Sequence, residues 1–343
     1  MVSENRLANL APFRLEPLFV ERIWGPADLR PWYNHVTAAG VPPIGEVWLS
    51  GDECKVETGS QAGKTLGQVF AEQSAAMLGS AVPESMQGAS PLLMKVIYAQ
   101  EKLSVQVHPD DQMAQKYGEP RGKTECWYAL AAEPHAKVAL GLRPGVTLAT
   151  VEAEVVSGTL EQSLEVVPVQ AGDMVFVDAG TVHAIWPGSV LLETQQYSDT
   201  TYRLFDYGRP RPLHVAKALE AIRLETAAGK VTPLKLADRI ILLDSVYFRV
   251  EKIDVRGTRS GDSMRGADEQ IGLSYLFAAE GSGRIQASSP GGFEASFEAS
   301  FEAVDLPSRM MAAIPASSPA WEIEDRGGLE LIRITPRWPK ATA

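Results

Sequence analysis

The stretch LSVQVHPDDQMAQKYGEPRGKTECWY, residues 103–128, limits the chain to few folds. It sets Gln106 and His108 two apart, then Lys123 and Glu125 two apart, inside runs rich in strand-forming residues. In an extended strand, residues i and i+2 point to the same face, so each pair projects into one interior. A second stretch, AGDMVFVDAGTVHAI at 171–185, brings His183 at the end of another strand-like run. Two imidazoles, a carboxylate and an amide oxygen form a mixed N/O set that suits zinc or another divalent first-row ion. Gln106, His108, Glu125 and His183 therefore predict a metal site inside a β-barrel.

A chain of 343 residues can bury a sizeable core and divides into two or three units. Its net charge of −11 is spread along the sequence. That excludes nucleic acid and anionic membrane as main partners, but not a small anionic substrate met by a few local cations. The N-terminus shows no basic segment followed by an apolar one, and no apolar run approaches the ~18–20 residues of a membrane span. Cys54 and Cys126 form no CxxC and no framework, which suits a reducing cytoplasm and buried, inert thiols.

Along the chain, residues 15–60 read as short extended pieces. Glu46 and Trp48 alternate there with Val47 and Leu49, as in a barrel strand with a packed tryptophan. Apolar residues at helical spacing follow Thr65 (65–81) and Thr147 (147–162), each a plausible cap, and 213–224 forms a third helix. Residues 110–120 read as a short helix or loop. The runs around PLLMKVI, TECWYAL, KVALGL, DMVFV and SVLLETQQ read as strands, with turns at Glu133-Pro134 and at Gly-Asp. Lys95, inside LLMKVI, either meets an anion or snorkels to the surface. From about 235 the chain is strand-rich again and has no histidine, so a second barrel there cannot repeat an imidazole site. FEASFEASFEA at 293–303 has a period too short for a solenoid and reads as an edge hairpin.

The motifs QVHPDD, GKTECWY, AGTVHAI and ETQQYSDTTYRLFDYGR, in this order, resemble the type I mannose-6-phosphate isomerases of the cupin superfamily, in their short bacterial form. ERIWG, IGEVWLS, PLLMKVI and LHVAKAL extend the resemblance over about 15–225. It implies a mainly β chain of two tandem cupin (double-stranded β-helix) barrels. The first, 1–225, would bind the metal and carry helical insertions at 61–90 and 147–162; the second, 226–343, would be metal-free. One departure is DLPSRMMAAIPAS, where the family commonly has a Gly-Asp turn.

The implied activity is metal-dependent interconversion of mannose 6-phosphate and fructose 6-phosphate through an enediol(ate), by a cytoplasmic monomer holding one zinc. The resemblance assigns Gln106, His108, Glu125 and His183 as ligands and Glu193 as the base at C1/C2. Lys123 becomes a candidate for moving the O1/O2 proton, and Arg203 for holding phosphate or enediolate. Lys95 and Ser104 match the phosphate end, and Ser104 shares the face of Gln106. His35, His135 and His214 read as structural, Arg209 and Arg211 as a solvated loop. The same residues leave open a related aldose, phosphorylated or free, an iron or manganese oxygenase, and a sugar-binding cupin with a closed structural zinc.

Overall fold

Period-two runs dominate the chain, and in a computed structural model they become strands, with few helices. The structure describes residues 9–79, 82–83, 86–266, 269–288 and 301–339. Positions 293–300 of the FEAS repeat lie outside the described residues. The elements gather into two compact units.

One unit takes residues 19–48 and 92–232. Its strands are β2 (Leu18–Glu21), β3 (Ile44–Trp48), β4 (Leu92–Ala99), β5 (Val105–Val107), β6 (Glu125–Ala132), β7 (Lys137–Leu142), β8 (Leu164–Pro168), β9 (Met174–Val177), β10 (His183–Ile185), β11 (Ser189–Gln196), β12 (Tyr202–Phe205) and β13 (Gly229–Lys230). They form one sheet in the order β13-β9-β6-β11-β4-β3-β2 and another in the order β12-β5-β10-β7-β8. Side chains from both sheets, Ile97, Trp127, Val177 and Leu191 against Val138, Leu140 and Ile185, share one core cluster, so the sheets pack face to face. The smaller sheet turns its other face, with Val105, Val107, Ala184 and Leu204, toward the helices α2 (Asp111–Lys116), α3 (Leu148–Ser157) and α4 (Val215–Ala221). Alternation then sends Gln106, His183 and Arg203 inward.

The other unit combines residues 9–18, 49–91 and 233–339 among those described. It holds α1 (Leu66–Leu78) and β1 (Phe13–Leu15), β14 (Leu234–Lys235), β15 (Ile240–Asp244), β16 (Phe248–Asp254), β17 (Thr258–Ser260), β18 (Ser274–Glu280), β19 (Gly283–Ala287), β20 (Val304–Leu306), β21 (Met311–Ile314), β22 (Trp321–Asp325) and β23 (Glu330–Pro336). A single cut near 225 therefore misplaces two segments. β1 pairs with β21, Phe13 opposite Ala313. The carbonyls of Ala76 and Met77, which α1 leaves open at its C-terminal end, accept from Ser317 and Ala316. The 65–81 helix belongs with the last third for that reason, whereas the 147–162 region stays with the histidines.

The two units repeat one topology. The order β9-β6-β11-β4-β3-β2 recurs as β21-β18-β23-β16-β15-β14, and β5-β10-β7-β8 as β17-β22-β19-β20. Even a buried ion pair recurs with its polarity reversed. Lys95 on β4 faces Glu193 on β11 in the first unit, and Glu251 on β16 faces Arg333 on β23 in the second. In the second unit Arg333 also bonds Glu269 and Glu251 also meets Arg239, so these charges are matched internally. At the departure DLPSRMM, Arg309 takes φ 66°, a left-handed conformation usually given to glycine.

Helix ends follow local chemistry. Thr65 caps α1 with a reciprocal Gln68 box, and Gly158 in the left-handed region ends α3 short of the expected 162. Removing the cap in Thr65→Ala is expected to cost about 1 kcal/mol in urea unfolding, with Thr65→Ser close to wild type.

Candidate active site

Three loops deliver the inward side chains. After β5 the backbone stays extended to His108, whose ring faces the interior beside Gln106. Gly122 lies against the start of α2: a Cβ there would sit 2.4 Å from the Asp110 carbonyl carbon, so no larger residue fits. Gly122 N–H donates to Asp111 Oδ1 and Lys123 N–H to the Pro109 carbonyl, which joins the Lys123–Glu125 segment to the one bearing His108. Gly180, at φ 91°, turns the chain into β10 and donates to the His108 carbonyl. That sets His183 beside His108, with ring centroids 4.8 Å apart.

The result is a buried donor cluster. His108, Glu125 and His183 offer ligand atoms that all lie within 4.8 Å of one another. His108 Nδ1 lies 3.0 Å from the Thr200 carbonyl and His183 Nδ1 2.9 Å from that of Thr181. Each Nδ1–H donates there, so the tautomer is fixed and each Nε2 keeps its lone pair, 3.5 and 3.4 Å from the Glu125 oxygens. Burial holds the His108 imidazole well below the usual histidine range and pushes His183 down to about 4, so both stay neutral, as ligands must. The Gln106 amide reaches His183 Nε2 at 3.2 Å, and its Oε1 accepts from Ser104 Oγ at 3.2 Å. This donor set fits a divalent cation.

Beside it lies a cavity of about 470 Å³, large enough for a hexose phosphate. Lys95, Ser104, Gln106, Lys123, Glu125, Glu193 and Arg203 all line it. Glu193 is buried, with Oε2 accepting from Trp127 Nε1 at 3.0 Å and Oε1 3.0 Å from Lys95 Nζ. Lys95 thus meets an anion rather than the surface. Burial opposes its charge, but Glu193 and Glu46 outweigh burial and hold the ammonium above the usual lysine range. Lys123 Nζ stands 3.0 Å from Glu125 Oε2, 3.2 Å from His108 Nε2 and 4.0 Å from Glu193 Oε1. Arg203, opposite Gln106 in the ladder, donates through NH1 to the Pro212 carbonyl and through its backbone N–H to His214 Nδ1.

Known proteins resemble this chain over most of its length. The model of the type I phosphomannose isomerase catalytic domain matches residues 12–143. ManA of Bacillus subtilis, a mannose-6-phosphate isomerase, is 32% identical over 289 residues, covering 80% of this chain and 87% of that protein. The mannose-6-phosphate isomerase of Streptococcus mutans is 32% identical over 262 residues, 71% of this chain and 80% of its own. The chain belongs to the type I phosphomannose isomerase family. The fold agrees: the crystal structure of the mannose 6-phosphate isomerase from Bacillus subtilis superposes with a TM-score of 0.78 at 29% identity, over 95% of this chain and all of that one. The family is metal-dependent, and His108, Glu125 and His183 supply a cluster able to hold the ion.

Family membership does not make every cavity residue visible in the sequence. Glu46, read as part of an ordinary strand, is buried and bonds Trp48 Nε1 at 2.8 Å while pairing with Arg22 at 3.1 Å and Lys95 at 3.8 Å. A charged residue in the otherwise apolar run IGEVW was the available signal. Arg211, read as solvated, lines the cavity as well. His35 stacks on Phe19, the exposed His135 pairs with Glu133, and His214 precedes α4, all outside the donor cluster. Both cysteines are buried, and neither is in a disulfide. Burial pushes the Cys54 thiol up to about 12 and Cys126 well above the usual range, so neither is a ready nucleophile.

Proposed function

We propose that this cavity is the active site of a zinc-dependent aldose–ketose isomerase acting on a phosphosugar. The reaction is the interconversion of mannose 6-phosphate and fructose 6-phosphate. The observation that carries the reading is the convergence of two tautomer-fixed imidazoles and Glu125 beside a cavity that also holds Glu193, Lys123 and Arg203. Gln106, His108, Glu125 and His183 hold one zinc per chain, and the bound ion supplies Lewis acidity to the oxygens of the substrate.

Glu193 takes the proton from C2 and returns it at C1. Trp127 and Lys95 fix its two oxygens, so the carboxylate is oriented before substrate arrives. Lys123, between Glu125 and Glu193, moves the proton exchanged between O1 and O2. Lys95 matches its charge to Glu193 and Glu46 and so positions the base, a different role from binding phosphate. Ser104 orients the Gln106 amide, and Arg203 faces the anionic end of the substrate.

The two units of repeated topology fit tandem cupin barrels, of which only the first carries histidines on its inner strands. Every residue lining the cavity comes from one unit of one chain, which suits a monomer. No helix among the described residues is long and apolar enough to cross a membrane, and two cysteines outside any disulfide suit a cytoplasmic enzyme.

The deciding assay follows mannose 6-phosphate conversion by the purified protein before and after EDTA, then with zinc added back. Chelation is expected to lower kcat/KM by on the order of 10³-fold, the worth of several kcal/mol of Lewis-acid stabilisation, with recovery at one zinc per chain. A zinc-loaded protein inactive on this sugar would overturn the reading.

A further inference from the structure

The cations of the cavity are not equally spoken for. Arg22 pairs with Glu46, Lys95 with Glu193 and Glu46, and Lys123 with Glu125. Arg203 makes no ion pair among the described residues, and its Nε is buried without a hydrogen-bond partner. Arg211 approaches from the loop after β12. Its Nε and NH2 donate to the two oxygens of Asp206, each at 2.6 Å, and its guanidinium lies 5.2 Å from the ring centroid of Trp24.

Asp206 is almost fully buried and also stands 3.6 Å from Arg209 NH1, which likewise lacks a hydrogen bond. Arg203, Arg209 and Arg211 therefore sit on one short segment with a single buried carboxylate among them. That leaves a surplus of positive charge on the segment, and of the three it is Arg203 and Arg211 that line the cavity. Asp199, also lining the cavity, pairs with none of the three. Burial and the neighbouring Arg211 both disfavour the charge on Arg203, which an arginine cannot relieve by losing its proton. A bound anion relieves it.

We infer that Arg211, braced by Asp206 and lying on Trp24, is a specificity-determining residue that closes with Arg203 on the phosphate of the substrate. The inference rests on the phosphosugar reading of the same cavity. Asp206 occupies the Nε/NH2 edge of Arg211 and fixes its plane, which leaves NH1 for a phosphate oxygen. Asp206 is accordingly a positioning residue, acting through Arg211.

The test compares metal-loaded wild type with Arg211→Gln, Arg211→Lys and the double variant Arg211→Gln/Asp206→Asn, which leaves no carboxylate behind. Each is titrated calorimetrically with inorganic phosphate and assayed on mannose 6-phosphate. Loss of a charge-assisted hydrogen bond is expected to weaken phosphate binding and raise KM by about 10–100-fold in Arg211→Gln and the double variant, with kcat within about threefold. Arg211→Lys, keeping charge without the planar fork, is expected to fall between. Unchanged phosphate affinity and KM in both Gln variants would overturn the inference, as would a fall confined to kcat. The titration needs no turnover. Phosphate bound through Arg211 by a protein without isomerase activity would therefore count against the isomerase reading and for the clamp.

Discussion

Glu193→Gln is expected to lower kcat by about 10²–10⁴-fold, the usual worth of a positioned general base, while the protein keeps its metal. The amide is nearly the same size, so the shape of the cavity survives, but its single oxygen can accept from Trp127 or from Lys95 and not from both. What disappears is the acceptor for the C2 proton. KM should change little, because Glu193 meets the reacting carbons rather than the phosphate. A second effect follows from burial. Lys95 is 5% exposed and Glu193 3% exposed, and removing one charge leaves Lys95 with Glu46 at 3.8 Å. Breaking a buried pair costs about 3–5 kcal/mol, so a measurable drop in melting temperature accompanies the loss of rate. The two effects separate in the assay, since stability changes the fraction folded and not the turnover of the folded enzyme. Near-normal turnover at full metal content would remove Glu193 as the base and pass the role to Lys123.

The parts of this site that were legible in the sequence are those governed by local periodicity. Ser104, Gln106 and His108 alternate along one extended segment, and Lys123 and Glu125 along another, so their shared faces need only the two-residue repeat of a strand. The caps at Thr65 and Thr147 were equally local. The missed residues depend on segments far apart in the chain. Glu46 matters because β3 lies beside β4 and brings it to Lys95, and Arg211 because its loop folds back onto Trp24 and Asp206. The charge inside IGEVW marks Glu46 but not its partner Lys95, and nothing around Arg211 marks Trp24. The division into units was hidden for the same reason. The pairing of β1 with β21 joins residues some 300 positions apart, and no composition change announces it. Resemblance to a family, rather than spacing, supplied the roles expected of Glu193 and Arg203.

His183→Ala is expected to lose the bound ion and with it the activity, and it separates a catalytic metal from a structural one. The ring makes three interactions that converge on one function: Nδ1–H donates to the Thr181 carbonyl, Nε2 faces Glu125 at 3.4 Å, and the Gln106 amide reaches Nε2 at 3.2 Å. Deleting a ligand should weaken metal binding by more than the roughly 10–100-fold typical of losing an outer-sphere partner. Metal content after dialysis against a weak chelator, read by atomic absorption, reports this directly. The fold should survive, because the core cluster beside the site is built from apolar side chains, among them Ile97, Trp127, Val138 and Leu191, that pack on one another. Metal-free wild type and His183→Ala should then melt at similar temperatures, and added zinc should raise only the wild type, by mass action. A site that holds the fold together behaves otherwise: chelation unfolds it, and the variant never folds. A His183→Ala protein that kept both its zinc and its activity would show that the two imidazoles converge for packing, and the reaction would need its Lewis acid elsewhere.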